Sequence, residues 1–398
     1  MATGELIEVR NPRSGEIDYR FQAPSDLELA TTLDRLRSAQ RIWAARPLAE
    51  RIEILRRWRS EWVARQAEIA RALSIDTGRY LIATSEVQSV TGMIDRWTNL
   101  VPTLAVEEEL RSPTLPTISY RSQYVPYGLV GIISPWNFPV SLCFIDAVPA
   151  LLAGCAVFVK PSEVTPRFVE PAMQSIAAVP ELAEVFHIQP GGRATGEQLV
   201  ERSDVVCFTG SVATGRQVAA NAARHFIPAF LELGGNDPLI ITASADLERA
   251  TDVALRATCL ATGQACQSLE RVYVDRKIFD AFVKRLVEKA SAIAPNWPDI
   301  HSGTIGPFIF GKQADTVAAQ LADAVAKGAK VLCGGQIEDH GGKWLRPTVL
   351  VDVHHGMQIM SEETFGPVIP VMPFDRIEEA IELANDGVYG LSAGVIAG

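Results

Sequence analysis

Three residues sit in settings that core packing does not explain. Cys266 lies in GQACQ (263–267), after a helical stretch and before the strand-like SLERVYV, flanked by Gly263 and Gln264 rather than by apolar neighbours. Glu232 lies in LELGG, at the end of an apolar run where a carboxylate is out of place. Asn137 lies in SPWNFP, directly after the apolar run GLVGIIS. A thiolate can attack a carbonyl when it is accessible, has an acid–base partner and faces a donor for the developing oxyanion. Cys266 is therefore the candidate nucleophile, Glu232 the candidate general base and Asn137 the candidate amide donor. Burial of Glu232 at a strand end is expected to raise its pKa toward the working pH. Asn137 has a competing local use, as N-cap of a helix beginning at Phe138.

Something must bring these three together, and the chain between 128 and 234 supplies it. GLVGIIS (128–134), AVFVK (156–160), VFHIQ (185–189), VVCFTG (205–210) and AFLEL (229–233) are near-continuous apolar runs separated by helical patterns. Such alternation predicts an α/β fold with a parallel sheet covered on both faces and right-handed crossovers. Ligands of such sheets bind at the C-terminal ends of the strands. SPWNFP, KPSE, FTGS and ELGG all fall on that rim. FTGS through Gly215 is not a GxGxxG, so a strict dinucleotide fingerprint is absent.

A second α/β region follows ELGG: PLIIT, a long helix from Leu247, GQAC, the strand SLERVYV, helices near 279–294 and 313–327, strands near 330, 347 and 370, and the helix IEEAIELAND. The first hundred residues read as helices, opened by a capping box at SDLE (25–28). SPTLPTISYRSQYVPY (112–127) reads as a pair of extended, Pro-bounded strands.

Composition narrows the partners. A net charge of −10 with no run of Lys and Arg argues against nucleic acid and anionic membrane surfaces. The N-terminus shows neither an export nor an import signal, and the longest apolar stretch is broken by Asp146, Pro149 and Gly154. The six cysteines show no CxxC and no framework, and the histidines no HExxH. No metal site is expected, and a reducing cytoplasm fits.

SPWNFP, KPSE, FTGS with Gly215 five residues after Gly210, LELGG, GQAC and EETFGPV together resemble the aldehyde dehydrogenase superfamily over essentially the whole chain. Their separations match too: Glu232 to Cys266 is 266 − 232 = 34 residues, and Asn137 to Lys160 is 160 − 137 = 23. The resemblance implies a Rossmann-type cofactor domain (1–111 and 128–234), an extended β bridging segment (112–127) used in oligomerisation, and a catalytic domain (235–398). It implies an NAD-linked oxidation of an aldehyde to an acid. Cys266 would form a thiohemiacetal and then a thioester, Asn137 and the Cys266 N–H would form the oxyanion hole, and Glu232 would activate the hydrolytic water. Lys160 and Glu163 would hold the adenosine ribose, Ser211 the pyrophosphate, and Glu363 the nicotinamide ribose, with Phe365 beside the ring. Ile133, Ser134, Pro135, Trp136, Ser162, Gly210, Gly215 and Leu233 complete the implied cofactor surface. A carboxylate at Glu163 accepts from a 2′-hydroxyl and repels a 2′-phosphate, which favours NAD over NADP.

The sequence departs from the family pattern at Thr214, where an aliphatic residue is usual near the adenine. Leu142, Cys143, Ala265 and Gln267 are expected to line the aldehyde tunnel. The chain ends at GLSAGVIAG, before a PFGG-type segment and a terminal oligomerisation strand. A homodimer or homotetramer is expected if that strand exists in the native protein. The alternatives are a truncated, inactive NAD-binding relic and a CoA-acylating dehydrogenase, the latter disfavoured by Glu232.

Overall fold

The computed structural model describes residues 4–104, 109–121 and 123–398. Each apolar run of the first α/β region forms a strand. In spatial order these are Phe186–Ile188, Ala156–Lys160, Leu129–Ile133, Val205–Thr209 and Ala229–Glu232. All neighbours pair in parallel. The chain starts in the middle of this sheet, winds outward one way, then returns to wind the other. The reversal lies between Leu129–Ile133 and Val205–Thr209, the point where such sheets open a crevice. Register sets Lys160 beside Ile133 and Glu232 beside Thr209 on one rim.

The helix Pro139–Ala153 follows the central strand, with Pro139 at its first turn, where a missing N–H costs nothing. Gly154 ends it at φ 103°, donating to Ala150 O and Leu151 O. Helix Asp26–Ala45, opened by the capping box at Ser25 and Glu28, runs past the N-terminal ends of the strands, where Arg37 pairs with Asp204 and Gln40 donates to Gly154 O. Helices Leu48–Thr77 and Tyr80–Leu104 pack on each other and on Pro139–Ala153. Positions 55, 58, 62, 69 and 73 recur at helical spacing on one face, all fully buried. Trp58 and Trp62 from that face pack edge-on against each other, and both meet the Phe144 ring.

The second sheet runs Lys330–Cys333, Thr348–Val351, Val368–Phe374, Leu269–Asp275, Asp237–Ile241 and Gly394–Ile396. It is parallel apart from the antiparallel pairing of its first two strands. Its last strand, within GLSAGVIAG, has no counterpart in the sequence reading.

Two local expectations are corrected. The first hundred residues are not all helical: Leu6–Arg10 and Ile17–Gln22 form an antiparallel ribbon. Arg13 from its connecting loop donates to Asn296 O (2.9 Å), Asn296 Oδ1 (3.0 Å) and Pro298 O (2.8 Å), and Arg10 reaches Gly341 O at 3.2 Å. In the 112–127 segment the strands are Glu109–Arg111 and Ser119–Arg121, so only the second lies inside the expected span, and position 122 is outside the described residues. No described helix is long and apolar enough to cross a membrane.

Candidate active site

A cavity of about 1030 Å³ opens on the C-terminal rim of the first sheet and is bordered on its far side by Cys266, Phe310, Gln313, Glu363 and Phe365 of the second region. Cys266, Asn137 and Glu232 all border it. So do Ile133, Ser134, Pro135, Trp136, Lys160, Ser162, Glu163, Gly210, Ser211, Leu233, Glu363 and Phe365. Gly215 does not. It lies beneath the lining, where a Cβ would come within 2.4 Å of Leu233 Cδ2, so the missing side chain lets helix and strand close on each other.

Asn137 is buried, and its Nδ2 donates to Gln264 O at 3.0 Å. An amide carries two N–H groups, so one remains for the cavity. The N-cap position belongs to Phe138, without a side-chain cap; instead Glu86 accepts from Val140 N (2.7 Å) and Ser141 N (3.4 Å). Asn137 is thus free of the capping duty that competes for it in the sequence.

Cys266 is half-buried at the end of a turn in which Ala261 (φ 55°) and Thr262 (φ 63°) are left-handed, as is Gly263 (φ 66°). A Cβ at Gly263 would meet Gly366 C at 2.3 Å, so the turn presses backbone to backbone on the EETFGPV loop. Burial pushes the Cys266 thiol above its ordinary value, and the carboxylate of Glu363 adds to the shift. Labelling of Cys266 by iodoacetamide is therefore expected to keep accelerating past pH 9, where an ordinary thiol is half ionised. Glu363→Gln removes a negative neighbour, lowers that pKa and speeds labelling at a fixed lower pH. Peptide mass spectrometry of the labelled cysteine checks both; a rate that levels off near pH 7 contradicts them.

Glu232 needs a correction: it is exposed, not buried. Its strand is the sheet's edge, and the alternation along Ala229–Glu232 turns Phe230 and Glu232 outward. The burial from which a raised pKa was expected is absent. The expected tunnel residues also fail to meet the cavity. Cys143 is fully buried on the core face of its helix with its thiol pushed up to about 12. Leu142 and Ala265 are half-buried, Gln267 is exposed, and none of these borders it.

The rim's charged groups suit a dinucleotide. Lys160 is 5% exposed, with Nζ on Pro161 O (3.1 Å) and Glu163 Oε2 (3.3 Å), which leaves one of its three donors. Burial lowers its pKa, and Glu163 opposes the shift. Ser211 caps the helix Val212–Arg224, accepting from Thr214 N, so the helix N-terminus faces the cavity and favours an anion. Thr214 is exposed and borders the cavity, as its place in the motif requires. Glu363 accepts from Gly235 N (3.1 Å), and burial pushes its carboxyl up to about 7. A Cβ on Gly234 would fall 2.5 Å from its carboxylate. The Phe365 ring stands edge-on to Trp136 at 5.4 Å. Among the described residues, no His, Cys, Asp and Glu grouping could hold a metal.

Several residues that build the site went unremarked in the sequence. Glu270 is fully buried and accepts from Thr364 N and Phe365 N, both at 2.7 Å, which holds Phe365 at φ 52°. Gln313 donates to Thr364 O (2.7 Å) and Gln320 to Glu363 O (3.1 Å), bracing the same loop. Gln264, read only as a flanker of Cys266, accepts from Ile309 N (2.9 Å) and donates to Pro307 O (3.1 Å).

A doubly wound sheet with a nucleotide-suited rim, facing a thiol carried by a second α/β unit, defines a dinucleotide-dependent enzyme. The sequence profile of the aldehyde dehydrogenase family matches residues 1–398. The protein PutA of Anabaena variabilis superposes with a TM-score of 0.97 at 49% identity, over 99% of this chain and 84% of that one. Lactaldehyde dehydrogenase of Escherichia coli superposes at 0.95 with 33% identity, over 99% and 83%. The "putative succinate-semialdehyde dehydrogenase [NADP(+)]" of Mycolicibacterium smegmatis is 36% identical over 375 residues, 93% of this chain and 72% of that protein. The chain belongs to the aldehyde dehydrogenase family, as an NAD(P)-dependent enzyme.

Proposed function

We propose that this chain oxidises an aldehyde to its carboxylic acid with NAD through a covalent intermediate on Cys266. One observation carries the reading: Cys266, Asn137 and Glu232 border the same cavity as the residues suited to the cofactor. Cys266 Sγ, its proton released to water, attacks the aldehyde carbon as the thiolate, and the remaining Asn137 N–H and the Cys266 N–H receive the oxyanion. One such donor stabilises the transition state by about 3 kcal/mol. Bound NAD supplies the hydride acceptor that lets the thiohemiacetal become a thioester. Glu232, exposed within the cavity, takes a proton from water as that water attacks the thioester, and the acid leaves from Cys266. Lys160 and Glu163 would hold the adenosine ribose, Ser211 the pyrophosphate and Glu363 the nicotinamide ribose.

The division into a cofactor domain (1–111, 128–234), a bridging segment (112–127) and a catalytic domain (235–398) belongs to the same proposal. So does a homodimer or homotetramer working in the cytoplasm. The relatives' names suggest small oxidised aldehydes such as lactaldehyde and succinate semialdehyde as the first substrates to try. The purified chain should make NADH from a panel of propanal, benzaldehyde, lactaldehyde and succinate semialdehyde, with free acid as product. Acyl-CoA formed only when CoA is present would replace the hydrolytic step with thiol transfer.

The cofactor preference rests on Glu163, whose carboxylate faces the cavity beside Lys160. Glu163→Ser removes the like charge that a 2′-phosphate would meet. The NAD-over-NADP ratio of kcat/KM is expected to fall roughly tenfold, a change of about 1.4 kcal/mol. Equal ratios in the variant and the parent would assign the preference elsewhere.

A further inference from the structure

We propose that Arg79 is a positioning residue for the oxyanion pocket, fixing Asn137 and the Cys266 turn against each other through their backbones. The proposal rests on the reading of Cys266 and Asn137 given above. Arg79 follows Gly78, which ends the helix Leu48–Thr77 in a left-handed conformation. It is only 4% exposed. Its guanidinium donates to Asn137 O through Nη2 and to Ala261 O at 3.0 Å through Nη1. The first carbonyl belongs to the residue carrying the amide, and the second lies five residues before the nucleophile. Asn137 Nδ2 closes the same junction by donating to Gln264 O.

The turn needs such a tether. Ala261 and Thr262 are consecutive non-glycine residues in left-handed conformation, a costly arrangement that persists only where surrounding bonds over-determine it. Ala261 O also accepts from Gln264 N at 3.2 Å, so one carbonyl gathers the turn and the guanidinium together. Arg79 lies over the Phe138 ring, 5.5 Å from its centroid, which fixes the plane of its donors. Glu86 supplies the opposing charge while capping the helix that starts just after Asn137. An apolar side chain of equal volume would fill the space but leave Asn137 O unpaired and Ala261 O held by Gln264 alone.

A second cavity, of about 330 Å³, lies beside this residue. Arg79 borders it together with Tyr80, Leu81, Cys259, Leu260 and Gly306, and it is not the one that Cys266 borders. In Arg79→Ala the vacated space would adjoin that cavity, which is the route by which a small guanidinium compound is expected to enter.

The experiment uses the full chain, NAD and the best aldehyde of the panel above. It compares the pre-steady-state NADH burst rate with NAD affinity in the parent, Arg79→Ala and Arg79→Lys. Arg79→Ala is expected to slow the burst about 100-fold, as misplacement of a reacting group by an ångström does, with NAD affinity within about twofold of the parent. Millimolar ethylguanidinium should restore at least a tenth of the parental rate, while propylammonium should not. Arg79→Lys keeps the charge but cannot span both carbonyls, and it should slow the burst with NAD affinity unchanged; it decides the matter if Arg79→Ala does not fold. Bursts at parental rate in the folded variants, or slowing matched by an equal loss of NAD affinity without guanidinium rescue, overturn the proposal. A parent that makes no NADH from any aldehyde of the panel overturns the active-site reading itself, and the positioning role with it.

Discussion

A Cys266→Ala variant is expected to lose NADH production from aldehyde by about 10⁴-fold or more while binding NAD within about twofold of the parent. The covalent route has no other thiol to use. Cys143, Cys155 and Cys259 are buried, and burial pushes the Cys143 thiol up to about 12 and that of Cys155 up to about 11. Cys207 is held at about 12, and Cys333 points its sulfur at Pro347 O, 3.6 Å away. None of these five borders the cavity. Alanine keeps the Cβ, so the turn against Gly366 and the loop bearing Glu363 keep their packing, and the cofactor surface is untouched. Stopped-flow NADH fluorescence and calorimetric titration with NAD read the two quantities. Turnover within 100-fold of the parent would remove Cys266 as the nucleophile.

A Glu232→Gln variant is expected to release one NADH per active site at an undiminished rate and then slow by about 10²- to 10⁴-fold, the usual contribution of a general base. The glutamine is nearly isosteric, and the side chain is exposed on an edge strand, so folding should not suffer. Glu232 is also among the negative groups that raise the Cys266 thiol. Its neutralisation favours the thiolate, and the acylation phase should be unchanged or faster. The stalled species is a thioester, visible as an acyl mass on the Cys266 peptide. Normal multiple turnover by this variant would assign the water-activating proton transfer to another group.

The rim was readable in the sequence because parallel strands put all their C-terminal ends on one side. SPWNFP, KPSE, FTGS and ELGG each follow an apolar run, so topology alone gathers them. Strand order was not readable in that way, and this is why Glu232 was misjudged: only the finished sheet makes Ala229–Glu232 an edge. Arg79 and Glu270 stayed hidden for another reason. Both are buried charges whose partners are mainly backbone groups far along the chain, 58 and 182 residues away for Arg79 and 94 and 95 for Glu270. The sole local sign for Glu270 was a carboxylate inside the apolar run SLERVYV. The N-terminal ribbon does carry a local signal: LIEVR and IDYRFQ alternate around a loop containing Gly15 at φ 76°.

That ribbon bears on how the chain is made. Its strands are synthesised well before their partners: the groups that Arg13 and Arg10 seek lie 283 to 331 residues downstream. Contacts of such long sequence separation form late, after most of the chain-closure entropy has been met. The ribbon can pair with itself at once, but its docking must wait until some three hundred further residues have been made.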